Sequence, residues 1–82
     1  MEMADNVKFK VVEQVTEYFR RREKVIDIDG ARVLFGDGWG LVRASNTQPA
    51  LVLRFEAPSK ERLAEIRHIV ESALDRIKQQ IT

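Results

Sequence analysis

Apolar residues recur along this chain in two different rhythms, and the rhythm changes wherever glycine or proline appears. Val11, Val12, Val15, Tyr18 and Phe19 follow the i, i+1, i+4, i+7, i+8 spacing of one buried helical stripe. Asp5 and Asn6 are suited to cap that helix, which the pattern predicts over roughly residues 6–21. From Val25 the period drops to two. Val25-Ile26-Asp27-Ile28 alternates, and Asp29-Gly30 separates it from Ala31-Arg32-Val33-Leu34-Phe35. An Asp-Gly pair between two strand-like runs predicts a hairpin with a type I′ turn, which needs positive φ at both central positions. Gly36-Asp37-Gly38 supplies a second turn, and Trp39 to Arg43 reads as a third strand. A polar loop from Ala44 to Pro49 precedes the most apolar strand, Ala50 to Ala57. Pro58 stops that strand and Ser59 is a favourable N-cap, with Glu61 in the first turn where the helix dipole favours an anion. Leu63, Ile66, Val70, Ala73, Leu74 and Ile77 then return to a 3.6-residue period until about residue 80. The order α-β-β-β-β-α predicts an α+β fold, a four-stranded antiparallel sheet with both helices packed on one face. The opposite face carries Asp27, Asp29, Arg32, Arg43 and Arg54, and is either solvated or docked against the rest of a larger protein.

Composition narrows the function classes. At 82 residues, 44% of them hydrophobic, the chain supports one small domain, 1–82, with its own core. It contains no cysteine, so disulfides and thiolate zinc sites are excluded. The apolar runs are too short for a membrane helix. Met1-Glu2-Met3-Ala4-Asp5 has no apolar signal region, and a cytoplasmic location is expected. With 14 Lys+Arg against 13 Asp+Glu and a net charge of +1, a general polyanion binder is disfavoured, so any anion site is local. The one basic run, residues 20–24, is read as a solvated helix end, with contact to an acidic partner as the alternative.

The densest chemistry lies in Arg43-Ala44-Ser45-Asn46-Thr47-Gln48-Pro49. A guanidinium matches two oxygens of one phosphate. Two hydroxyls and an amide add neutral donors, and turn N–H groups add more. Asn46 tolerates the left-handed backbone that tight anion-cradling turns often use. Nothing in the run is a strong base, so the composition suits holding an oxyanion rather than reacting with it. Arg54, on the next strand, would add a second guanidinium if it pairs with Arg43 across the loop. A polar hairpin loop with incidental hydroxyls is the competing reading. His68 falls opposite the apolar stripe of the second helix and reads as a surface residue. Trp39 reads as packing at a hairpin end. Asp27 and Asp29 read as exposed rather than as paired catalytic carboxylates.

Asp29-Gly30-Ala31-Arg32, the run from Trp39 through Pro49, and Leu51-Val52-Leu53-Arg54-Phe55-Glu56-Ala57 together resemble the C-terminal, fourth domain of the α-phosphohexomutases, the phosphomannomutase/phosphoglucomutase family. The resemblance spans roughly residues 6–80 and implies a fold like that of the TATA-box-binding protein. Where many relatives have Pro-Ser-Gly, Ala44-Ser45-Asn46 looks like the bacterial enzymes that act on both mannose and glucose phosphates. The family interconverts hexose 1-phosphates and 6-phosphates, using a phosphoserine and Mg2+ held by other domains. The last domain grips the phosphate that is not being transferred and closes the cleft. Carried over to this chain, the grip would consist of Arg43, Ser45, Asn46 and Thr47, with Arg54 supporting or joining it. The resemblance makes hexose phosphate and the remaining mutase domains the expected partners; neither nucleic acid nor membrane is expected as a partner.

The departures matter equally. The phosphoserine loop, the aspartate-rich metal motif and the sugar-reading loop of the family have no counterpart here, and Ser45, Ser59 and Ser72 lack the phosphoserine context. The resemblance therefore implies a domain that is inactive alone, with no catalytic residue and no metal ligand of its own. Gln48 replaces a common glutamate. Competing readings are a small nucleic-acid-binding domain, which would need a basic sheet with exposed aromatics, and a purely structural interaction domain.

Overall fold

The computed structural model describes residues 2–81. Its elements follow the predicted order: α1 (Asp5–Arg20), β1 (Lys24–Ile26), β2 (Ala31–Leu34), β3 (Trp39–Ala44), β4 (Leu51–Glu56) and α2 (Lys60–Ile81). The strands form one antiparallel meander in the order β1-β2-β3-β4. Both helices lie on one face of it, so the α+β architecture is as the periodicities predicted.

The register explains the two faces. Val33, Gly40 and Phe55 form one row across β2, β3 and β4, and Ala31, Val42 and Leu53 form the next. These rows meet Val11, Val15 and Phe19 of α1 and Ile66, Val70 and Leu74 of α2, all buried. Gly40 is one of the places where α2 lies close against the sheet. A Cβ there would lie 3.0 Å from Val70 Cγ2 and 3.1 Å from Phe55 Cδ1. Ser59 caps α2 as predicted, its Oγ accepting from Arg62 N–H at 3.1 Å. Arg62 also holds the β2–β3 turn through Asp37, at 2.9 and 3.1 Å. That hydrogen bond raises the Arg62 pKa above the usual arginine value.

Three local expectations change. The N-cap of α1 is Ala4, which makes no side-chain cap bond; Asp5 and Asn6 fall inside the first turn because the helix starts earlier than the apolar stripe signalled. The Val25–Ile28 run leaves the ladder after Ile26, and Ile28 stands 92% exposed. Nor is Asp29-Gly30 a type I′ turn. Gly30 has φ +91°, but no non-glycine among the described residues has positive φ. The chain instead spreads the reversal over residues 27–30, so only one position needs the left-handed region. A Cβ on Gly30 would strike the Val42 carbonyl oxygen and come within 3.0 Å of Arg43 Cα. Glycine therefore lets this loop lie directly against β3 at the start of the candidate site.

Candidate anion-binding site

Arg43 lies in β3 opposite Val52 of β4, so the ladder holds its backbone. Strand alternation places it on the face without helices. Arg32 and Arg54 flank Leu41 on that same face, one from each neighbouring strand. The three arginines line a shallow hollow of about 390 Å³ together with Asp29, Leu41, Ile26 and Ile28. Arg43 and Arg54 are thus not opposed partners across the loop. They sit diagonally, two residues apart in register, a separation of roughly 7–8 Å that long side chains span. Asp29 stands 3.8 Å from Arg43 Nη1. Both groups are partly solvated, a setting in which an ion pair contributes only about 0–1 kcal/mol. Arg32 lies over the Trp39 ring at 4.7 Å, while Trp39 Nε1–H donates to Glu56 Oε2 at 2.9 Å. Trp39 is a cross-strand packing residue at the hairpin end, as its position in the sequence suggested.

Beyond Ala44 the chain turns through residues 45–50. Ser45 N–H donates to Ala50 O at 3.0 Å. Ser45 Oγ accepts from the N–H groups of Thr47 at 3.3 Å and Gln48 at 3.2 Å. With its lone pairs engaged, the Ser45 hydroxyl keeps its proton to donate. This hydroxyl-closed turn is why Asn46 does not adopt the left-handed backbone: the reversal is made without it. Asn46, Thr47 and Gln48 are exposed. Of the backbone N–H groups at 45–48, that of Asn46 alone has no protein partner among the described residues. Arg43, Ser45, Asn46 and Thr47 thus gather at one end of β3. Arg54 belongs to the adjoining sheet-face hollow, which the loop residues do not line.

Two contributors escaped the sequence reading. Arg32 was placed on the open face but not in the site. Lys8 was not singled out at all. It is 3% exposed, and its Nζ donates to Ser45 O and, at 3.0 Å, to Gln48 O. A signal existed: Lys8 continues the apolar stripe of α1, three residues before Val11 and four before Val12. Met3 N–H ties the same loop through Pro49 O at 2.6 Å. The cations of the basic run at residues 20–24 are all exposed, as a solvated helix end would be, and two of them contact their own chain. Arg20 pairs with Glu17 at 3.0 Å and with Asp27, and Arg22 stacks on Tyr18 at 4.0 Å. His68 is exposed.

Residues 2–73 match the family described as phosphoglucomutase/phosphomannomutase, C-terminal domain. The chain belongs to this family. A phosphomannomutase/phosphoglucomutase of Pseudomonas putida is 39% identical over 82 residues, covering 99% of this chain and 18% of the relative. A phosphoglucomutase of Neisseria meningitidis is 47% identical over 57 residues, covering 70% of this chain and 12% of the relative. A solved phosphoglucomutase/phosphomannomutase family protein from Burkholderia thailandensis superposes with a TM-score of 0.66 at 40% identity, covering 80% of this chain and 16% of that one. The chain therefore spans less than a fifth of the length of these relatives. No group of three or more His, Cys, Asp or Glu among the described residues is placed to hold a metal. The Mg2+ implied by the mutase family has no fitting set of ligands among these residues. No helix among the described residues is long and apolar enough to cross a membrane.

Proposed function

We propose that this chain is the single, C-terminal phosphate-gripping domain of a phosphohexomutase acting on hexose 1- and 6-phosphates such as those of mannose and glucose. Arg43, Ser45, Asn46 and Thr47 hold the phosphate that is not being transferred, and Arg54 supports them from the neighbouring strand. The phosphoserine and Mg2+ that carry out transfer belong to other domains of the enzyme. One observation carries the reading. Among the described residues, the turn at 45–48 satisfies its own N–H groups except that of Asn46, and leaves the Ser45 proton and the Thr47 hydroxyl without a protein acceptor, directly after Arg43, whose backbone the β3–β4 ladder holds. Donors fixed in place before binding are what an oxyanion needs. The identity to enzymes named phosphomannomutase/phosphoglucomutase supports the substrate class.

In the same reading the domain closes the cleft over substrate, because a grip on the distal phosphate fixes the reacting end of the sugar. Alone, the domain binds weakly. Charge-assisted hydrogen bonds contribute roughly 1.5–3 kcal/mol each against an association cost of at least ~4 kcal/mol, which points to dissociation constants near a millimolar. Titration of the 15N-labelled chain with glucose 1-phosphate tests the site: shifts centred on residues 43–47 and 54 are expected, and silence there at tens of millimolar overturns it. In the parent enzyme, Arg43→Ala should raise KM and lower kcat together; unchanged kinetics would sink the assignment.

A further inference from the structure

Lys8 is a charged residue placed inside the packed half of the molecule, 3% exposed, and its ammonium reaches across to a loop 37 and 40 residues further along the chain. There it donates to two backbone carbonyls, those of Ser45 and Gln48. Neither carbonyl belongs to a strand; Gln48 O also accepts from Ala50 N–H at 2.8 Å, and a partly buried carbonyl such as that of Ser45 is costly to leave without a partner. An ammonium is suited to the task, because its three donors rotate to meet acceptors that do not lie in one plane.

The consequence lies on the other side of the peptide. No peptide bond in the described residues is cis. In a planar trans peptide the N–H points opposite the carbonyl. Drawing Ser45 O toward Lys8 therefore turns Asn46 N–H away from α1. The other N–H groups of the turn are already taken, that of Ser45 by Ala50 O and those of Thr47 and Gln48 by Ser45 Oγ. Pro49 has none. The peptide whose carbonyl Lys8 fixes is thus the one carrying the turn's open donor.

We propose that Lys8 is the positioning residue of the anion grip: it holds the Ser45 and Gln48 carbonyls beneath the loop and so aims the Asn46 N–H at a phosphate bound beside Arg43. The proposal rests on the phosphate-binding reading, but its effect on the loop is measurable without any ligand. Lys8 does not touch the anion. It acts through the orientation of one peptide plane, a feature that neither the propensities of the loop nor its hydroxyls determine.

The test compares Lys8→Met, which keeps an unbranched stem without donors, with Lys8→Arg, which keeps a cation. Amide spectra of the 15N-labelled chain are recorded well below its unfolding temperature, first free and then with inorganic phosphate. In K8M the free-state Asn46 amide signal should move, exchange at residues 45–48 should quicken, and phosphate affinity should fall at least ~10-fold, as for loss of one charge-assisted contact. K8R should recover part of the affinity. A folded K8M with an unshifted Asn46 amide and unchanged phosphate response overturns the proposal, even if its melting temperature is lower. If the unmodified chain shows no phosphate response, the function proposed above fails, while Lys8 is still judged by the free-state Asn46 signal. Should K8M not fold, couplings from Lys8 Nζ to the Ser45 and Gln48 carbonyl carbons are sought in the unmodified chain. Their presence, together with a phosphate-induced shift of Nζ, supports the role; their absence refutes it.

Discussion

Val42 and Arg43 are neighbours in one strand and have opposite tasks. Val42 is fully buried, facing the helices between Ala31 and Leu53. Arg43 points to the bare face, opposite Val52 and 3.8 Å from Asp29. The same contrast holds for the whole sheet. Its covered face is apolar, filled by both helices, and tight at Gly40, where a Cβ would crowd Val70 and Phe55. Its bare face carries three guanidiniums and a hollow. A strand is economical in this respect: alternation lets one backbone serve stability on one side and recognition on the other. The two faces should therefore respond independently to mutation.

The largest effect is expected on the covered face. Phe19 is 1% exposed, makes an edge contact with Tyr18 at 4.9 Å, and packs near Phe35 at 6.3 Å. Phe19→Ala should cost about 3–5 kcal/mol in chemical denaturation. For a domain this small that approaches the entire stability. Next comes Arg43→Ala. It should leave the denaturation midpoint nearly unchanged and weaken hexose phosphate binding by about 1.5–3 kcal/mol, read by NMR titration. A reversed outcome, with stability lost and binding retained, would break the division between faces. Gly40→Leu should lower stability by about 1–3 kcal/mol through crowding against Val70 and Phe55, with no change at residues 45–47 beyond that caused by partial unfolding. The smallest change is Asp29→Asn. Removing the carboxylate that competes for Arg43 should tighten phosphate binding by up to ~5-fold, consistent with a solvated pair. Weaker binding would instead mean that Asp29 orients the guanidinium.

The two faces also differed in how well they could be read beforehand. The covered face is periodic, and its residues were legible: Val11, Val15 and Phe19 on α1 and Ile66, Val70 and Leu74 on α2 all lie in the core. Burial acts on every position of a stripe, so its imprint is redundant. The candidate site had no such redundancy. Arg43 and the run from Ser45 to Thr47 stood out because their residue types are concentrated in five positions. Arg32 did not, because it lies eleven residues upstream and joins the hollow only when β2 pairs with β3. Local propensity favours a two-residue reversal at Asp29-Gly30, whereas four residues, 27–30, separate the end of β1 from the start of β2. Asn46 tolerates the left-handed backbone that such turns often use, but the turn closed by the Ser45 hydroxyl forms without it.

The sequence by itself determined the order of elements, the side of each helix that is buried, the N-cap at Ser59 and the location of the polar run proposed to bind the anion. These follow from local periodicity and from residue chemistry, which act over one or two turns of chain. Only the tertiary structure decided how Arg32, Arg43 and Arg54 converge, which loop N–H stays open, and that Lys8 lies beneath the loop. Those features depend on strand register and on a helix packed 37 residues away from the loop it supports, and distance along the chain carries no information about distance in space.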